Sequence, residues 1–182
     1  MPKQLVLILG GARAGKSTFA QTLAEKASRV LFVATAEALD DDMAERIAVH
    51  RSQRPAGWAT LEEPVDILAA LDPIVNGYDT VLVDCLTLWV SNLMLLEVDE
   101  PLKESDILAR ARELLKLYEG GHATWILVSN EVGWGVVPPT AQGRAFRDAL
   151  GRVNQLIADR ADRVYVMVAG VALELKELAG RP

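Results

Sequence analysis

The stretch that decides the fold is LVLILGGARAGKS, residues 5–17. Residues 4–9 form a short, continuous apolar run bounded by Gly10 and Gly11, the pattern of a strand buried on both faces of a parallel sheet. Residues 16–27 then bring Phe19, Leu23 and Ala27 round at three- and four-residue spacing, so a helix follows at once. Between strand and helix lies Gly10-x-x-x-x-Gly15-Lys16-Ser17. The glycines let backbone N–H groups close around phosphates, while Lys16 offers a point charge and Ser17 an oxygen ligand for Mg²⁺. The flanking elements are the context this motif demands, and the ligand implied is a nucleoside triphosphate. Arg13, inside the loop, either adds a phosphate contact or points to solvent.

Working outward, strands are expected at residues 30–34 (VLFVA), 80–83, 124–129 and 163–168. Helices are expected at residues 86–96, 103–119 and 141–160. Another is expected at 43–54, led in by the acidic residues Asp40, Asp41 and Asp42 and stopped by Pro55. The C-terminal GVALELKEL suits strand or helix equally. Strands and helices alternate, which implies a doubly wound α/β sheet with ligands at the carboxyl ends of its strands. Without repeats, low-complexity tracts or linker-like segments, residues 1–182 read as a single catalytic domain.

The balance of 19 Lys and Arg against 25 Asp and Glu gives a formal charge of −6. That argues against nucleic acid as a partner, because nonspecific polyanion binding needs clustered cations. A mean hydropathy of +0.17 suits a globular chain. No apolar run approaches the ~20 residues of a membrane span. Cys85 is the one cysteine, so no intramolecular disulfide is possible, and the N-terminal residues run straight into the phosphate loop. A cytoplasmic protein without a membrane span is expected.

Asp84 closes the run TVLVD, and its carboxylate should emerge at the sheet edge that holds phosphates, where it can hold Mg²⁺ directly or through water. On the helix that precedes Pro55, Ile47, His50, Arg51 and Arg54 fall at i, i+3, i+4 and i+7, a stripe suited to phosphate. Nearby positive charge disfavours imidazolium and keeps the His50 ring neutral, the form able to attack phosphorus. Taken alone, a His-Arg pair more often belongs to a solvated surface helix. Trp58, Trp89 and Trp134 are candidates for apolar contact with a large ligand, although buried tryptophans are more often packing. Asn130 and Glu131, just beyond a strand, either orient a substrate hydroxyl or water or cap a loop.

At GGARAGKS (10–17), VATA (33–36), RIAVHRSQRPAGWATLEEP (46–64), VDCLTLWVSNL (83–93), NEVGWGVVP (130–138) and FRDALGRVNQ (146–155), the chain resembles the bifunctional adenosylcobinamide kinase and adenosylcobinamide-phosphate guanylyltransferases of cobalamin biosynthesis. The resemblance implies a RecA-like P-loop domain, a mostly parallel sheet flanked by helices, commonly assembled as a homotrimer. It implies phosphorylation of the aminopropanol hydroxyl of adenosylcobinamide with ATP or GTP, then transfer of GMP from GTP to that phosphate, giving adenosylcobinamide-GDP. It makes His50 the residue that carries GMP covalently; Lys16, placed by the phosphate loop, is the second catalytic residue expected. The nucleotide-binding set that it carries over is Gly10, Gly11, Ala12, Arg13, Ala14, Gly15, Lys16, Ser17, Ala34, Thr35, Ala36, Arg51, Ser52, Gln53, Arg54, Glu62 and Asp84; Ser17 and Asp84 stay the expected Mg²⁺ ligands from the residues themselves. Ala14 stands where the family often has serine, and Asp84 is read in place of a glutamate, with a shorter reach.

Two other readings compete. A P-loop small-molecule kinase without guanylyl transfer needs only the loop, the metal carboxylate and the arginines, and it leaves His50 without a purpose. A regulatory GTPase or RecA-like motor ranks below it, since the chain has neither an Asn-Lys-x-Asp motif nor a basic face.

Overall fold

Each apolar run forms a strand because its alternate side chains find apolar cover on both faces of one sheet. The structure is a computed structural model that describes residues 3–38, 41–52, 54–96 and 102–179; within residues 41–52 the side chains of Asp42, Met43, Arg46 and His50 lie outside the description. Strands β1 (Leu5–Gly10), β2 (Val30–Ala34), β3 (Ala59–Glu62), β4 (Thr80–Asp84), β5 (Thr124–Val128), β6 (Arg163–Val168) and β7 (Val171–Glu174) make a seven-stranded sheet in the order β3-β2-β4-β5-β1-β6-β7. All neighbours are parallel except β6 and β7. One strand, β5, separates the phosphate-loop strand β1 from β4, which ends in Asp84.

Helices α1 (Lys16–Ala24), α2 (Asp41–Ser52), α3 (Ile67–Leu71), α4 (Leu86–Met94), α5 (Glu104–Gly120), α6 (Ala141–Arg160) and α7 (Leu175–Leu178) complete the chain. Leu5, Leu7, Leu31, Val33, Val81 and Val83 point into one apolar layer shared with α3, α4, α5 and α6. Val6, Ile8, Phe32 and Leu82 point the other way and pack with Ala20 and Ala24 of α1. This two-sided burial is what a continuous apolar run serves in a parallel sheet. The α/β expectation is met, and the sheet is mostly parallel and flanked by helices.

The differences from the sequence reading lie at element ends and edges. Strand β3 was not anticipated: its Ala59-Thr60-Leu61-Glu62 alternates between half-buried and exposed positions, too short a signal to read. The helix expected over 43–54 is α2, described over Asp41–Ser52, and it has ended by Arg54. Pro55 accounts for that end, because the residue before a proline is pushed out of helical conformation. Asp40 lies outside the described residues. GVALELKEL is both things in turn, strand β7 and then the short helix α7. The β6–β7 hairpin turns through Ala169 and Gly170, at φ 51° and 84°, as a two-residue turn of this hand requires. Among the described residues no helix is long and apolar enough to cross a membrane.

Candidate functional site

The phosphate loop is shaped by its glycines and braced from behind. Gly10 has φ 147°, and a Cβ there would come within 2.5 Å of the Met167 carbonyl oxygen on β6, so only glycine fits. Gly15, at φ 91°, turns the chain into α1. The hairpin turn supports the loop through Gly170 N–H, which donates to the Ala14 carbonyl at 3.1 Å. Lys16 is buried, and its Nζ donates to the Gly11 carbonyl at 2.7 Å across the inside of the loop. Burial pushes the ammonium pKa below its ordinary value, while Cys85 and Asp84 pull it back up.

In front of the loop opens a cavity of about 1220 Å³, roomy enough for a nucleotide and part of a second substrate. It brings together Ala12, Arg13, Lys16 and Ser17 from the loop and α1, Ala34 and Ala36 from the end of β2, Arg51, Ser52 and Arg54 from the region of α2, Glu62 from β3, and Asp84 from β4. Of the remaining candidates, Gly10, Gly11, Ala14 and Gly15 shape the loop backbone. Gln53 lies outside the described residues. His50 sits on α2 immediately before Arg51, and its side chain is likewise outside the description. Among the described side chains of α2, Ala44, Ile47, Ala48, Arg51 and Ser52 line the cavity, so Ile47 and Arg51 of the expected stripe do face it; the correction is to Arg54, which lies beyond the helix and reaches the cavity from the following loop.

The arginines differ in state. Arg51 forks onto Glu62, its Nε donating at 2.8 Å to one carboxylate oxygen and a terminal nitrogen donating to the other. Arg54 is largely buried, stacks 4.2 Å above the Phe32 ring centre, and approaches Glu62 at 3.8 Å. Its Nε has no hydrogen-bond partner among the described residues. A largely buried guanidinium that lines a cavity is suited to an anion.

Thr35, expected to contact nucleotide, is fully buried and does not line the cavity. Its hydroxyl donates to Cys85 C=O and accepts from Cys85 N–H, gripping the residue that follows Asp84 across a cis peptide bond. Asn92 was not singled out, yet its Nδ2 donates at 2.9 Å to both the Thr35 and the Pro64 carbonyls, tying the chain beyond β2 and β3 to α4. The Cys85 thiol lines the same cavity, and burial, reinforced by Asp84, pushes its pKa up to about 11.

Ser17 and Asp84 offer hard oxygen donors on one cavity wall beside Lys16, a set that fits Mg²⁺ completed by phosphate oxygens and water. Among the described residues no group of three or more His, Cys, Asp and Glu forms a metal cage. The tryptophans divide: Trp89 is fully buried and donates from its indole N–H to the Val65 carbonyl at 2.9 Å, which is packing. Trp58 packs against the α1-side layer, and Trp134 is 77% exposed outside the cavity. Asn130 lines the cavity, whereas the Glu131 carboxylate accepts from Gly133 N–H at 2.7 Å and caps its own loop.

Comparison with known proteins agrees with this geometry. A family model described as cobinamide kinase / cobinamide phosphate guanyltransferase matches residues 6–175. The bifunctional adenosylcobalamin biosynthesis protein CobP of Pseudomonas aeruginosa is 46% identical over 171 residues, covering 93% of this chain and 96% of that protein. The CobU proteins of Escherichia coli and Salmonella typhimurium, which carry the same description, are each 38% identical over 94% of this chain and 99% of their own length.

Proposed function

Since the chain belongs to the cobinamide kinase / cobinamide phosphate guanyltransferase family, we propose that the cavity before Lys16 serves both of its reactions. The protein is a bifunctional enzyme of cobalamin biosynthesis, a kinase that phosphorylates adenosylcobinamide and a guanylyltransferase that converts the product to adenosylcobinamide-GDP. The observation that carries the one-cavity reading is that phosphate loop, Asp84, Arg54 and the α2 row from Ala44 to Arg51 all line a single space.

In the first reaction the loop amides and Lys16 hold the triphosphate, and the corrinoid hydroxyl takes the terminal phosphoryl group. Bound Mg²⁺, held by Ser17 and Asp84, would neutralise phosphate charge there. In the second, an imidazole nitrogen of His50 attacks the α-phosphorus of GTP. The α,β-bridging bond breaks and pyrophosphate leaves. The phosphate of adenosylcobinamide phosphate then attacks the same phosphorus, the phosphorus–nitrogen bond breaks, and the imidazole is regenerated. A neutral ring meets the anionic nucleotide without the repulsion that a phosphate dianion would feel in direct attack. Arg54, a largely buried guanidinium that lines the cavity, supports this reading as the cation that receives charge at phosphorus.

The resemblance also suggests a homotrimer in the cytoplasm, with ATP as well as GTP serving the kinase step. The site is tested by Lys16→Ala. Both activities of the folded variant are expected to drop by about 10²-fold or more, because both need the triphosphate held. Near-parental phosphorylation by that variant would remove the phosphate loop from the account.

A further inference from the structure

Asn130 takes no part in the functions assigned so far, yet the fold goes to some length to hold it. In the sheet register Val128, the last residue of β5, lies between Ile8 of β1 and Asp84 of β4. Two residues on, Asn130 therefore emerges between the phosphate loop and the Asp84 carboxylate, and it lines the cavity they share. The chain around it is tied to the loop strand: Ser129 N–H donates to Ile8 C=O at 2.9 Å, and Glu131 N–H donates to Gly10 C=O at 3.1 Å.

Its own peptide groups are held by two buried side chains from two different helices. Asn130 N–H donates to the Thr87 hydroxyl at 2.7 Å, and Asn130 C=O accepts from Asn154 Nδ2 at 3.1 Å. Thr87 is 7% exposed and Asn154 5%. The other amide atom of Asn154, Oδ1, is buried with no hydrogen-bond partner among the described residues, an arrangement that costs stability. A buried polar residue kept at such a cost fixes a backbone more than it strengthens a core. All of these bonds go to the backbone of Asn130, and none of them occupies the carboxamide of this cavity-lining residue.

We propose that Asn130 is a catalytic residue of the kinase step, its carboxamide N–H donating to an oxygen of the terminal phosphoryl group during transfer. Asn154 and Thr87 are positioning residues that act through it. The carboxamide is neutral, so it brings a donor close to the phosphoryl oxygens without the repulsion of a carboxylate. In the step itself the hydroxyl oxygen of adenosylcobinamide bonds to the γ-phosphorus as the β,γ-bridging bond breaks. The nucleoside diphosphate leaves, and the hydroxyl proton passes to water.

This inference rests on the kinase reading above, and the test separates the two. Phosphorylation of adenosylcobinamide by GTP, and GMP transfer to ready-made adenosylcobinamide phosphate, are measured for the parent, Asn130→Ala, Asn130→Asp and Asn154→Leu. Asn130→Ala is expected to lose about 10²-fold in kcat of phosphorylation while KM for the nucleotide stays within about 3-fold. GMP transfer should suffer at least about tenfold less than phosphorylation, since the γ-phosphorus is not attacked in it. Asn130→Asp keeps the shape without the N–H and should be no better than the alanine variant, which covers the case in which the alanine variant does not fold. Asn154→Leu should lower kcat for phosphorylation several-fold with KM unchanged. Near-parental kcat in both Asn130 variants, or equal losses in the two reactions, would overturn the assignment. A parent that phosphorylates no adenosylcobinamide would sink the kinase reading, and this assignment with it.

Discussion

The side chain of Thr35 and the backbone of Cys85 satisfy one another: the hydroxyl donates to Cys85 C=O at 2.7 Å and accepts from Cys85 N–H at 2.8 Å. One fully buried hydroxyl at the end of β2 thereby fixes the turn out of β4 and, with it, the position of Asp84. Thr35→Val, of nearly equal shape, would strand two backbone groups. It should destabilise the fold by about 1–3 kcal/mol and raise the Mg²⁺ concentration needed for half-maximal turnover. Thr35→Ser keeps the hydroxyl and should restore most of both losses. Urea unfolding and Mg²⁺ titration check this, and a valine variant as stable as the parent would contradict it.

Two adjacent glycines of the phosphate loop should respond unequally to the same change. A Cβ on Gly10 would meet the Met167 carbonyl at 2.5 Å with φ at 147°, whereas one on Gly11 meets nothing within 4 Å. Gly10→Ala should therefore cost about 1–3 kcal/mol by forcing β1 from β6, while Gly11→Ala should leave stability within about 0.5 kcal/mol of the parent. Thermal unfolding of the two variants decides the matter, and equal melting temperatures would contradict the close-approach argument.

What the sequence disclosed depended on whether the controlling interaction was local. The unit β1-loop-α1 was legible because its strand, glycines and helix are contiguous, and the chemistry of the loop needs all of them together. Arg54 was misplaced onto α2, although Pro55 in the sequence already carried the signal that ends the helix early. β3 is an edge strand of four residues whose pairing with β2 depends on tertiary structure, and nothing local announces it. Thr35 falls within a motif but serves the backbone beside Asp84, not the cavity surface. Asn92 and Asn154 were opaque because their partners are carbonyls at Thr35, Pro64 and Asn130, remote in sequence. A polar residue on an otherwise apolar helical face, as in LTLWVSNLM, is the signal that points to such a role.

The β6–β7 hairpin that braces the phosphate loop should show a pH dependence of its own. Arg163 Nε donates at 3.0 Å to both carboxylate oxygens of Glu174, and this holds the Glu174 carboxyl below its ordinary value of 4.5. A depressed carboxyl pKa stabilises the fold above the unfolded value, and the stabilisation disappears as pH falls through the folded one. Because Arg163 is partly exposed, Glu174→Gln should cost only about 0.2–1 kcal/mol at pH 7, and the difference should shrink once the pH falls below 4.5 and be lost as it passes the depressed folded-state pKa. Urea unfolding of parent and variant at pH 7 and at successively lower pH tests the sign. A difference that persists unchanged into acid would contradict it.

In the proposed mechanism one cavity carries out two chemistries because His50 takes GMP between them. Parent and His50→Asn proteins are incubated with GTP labelled at the α-phosphate, denatured, and examined for protein-bound label that is acid-labile and alkali-stable. Such label is expected on the parent, with its discharge by adenosylcobinamide phosphate as adenosylcobinamide-GDP, and its loss from His50→Asn, which keeps phosphorylation to within about tenfold. Equal labelling of the variant, or a parent that completes guanylyl transfer without ever holding label, would contradict it.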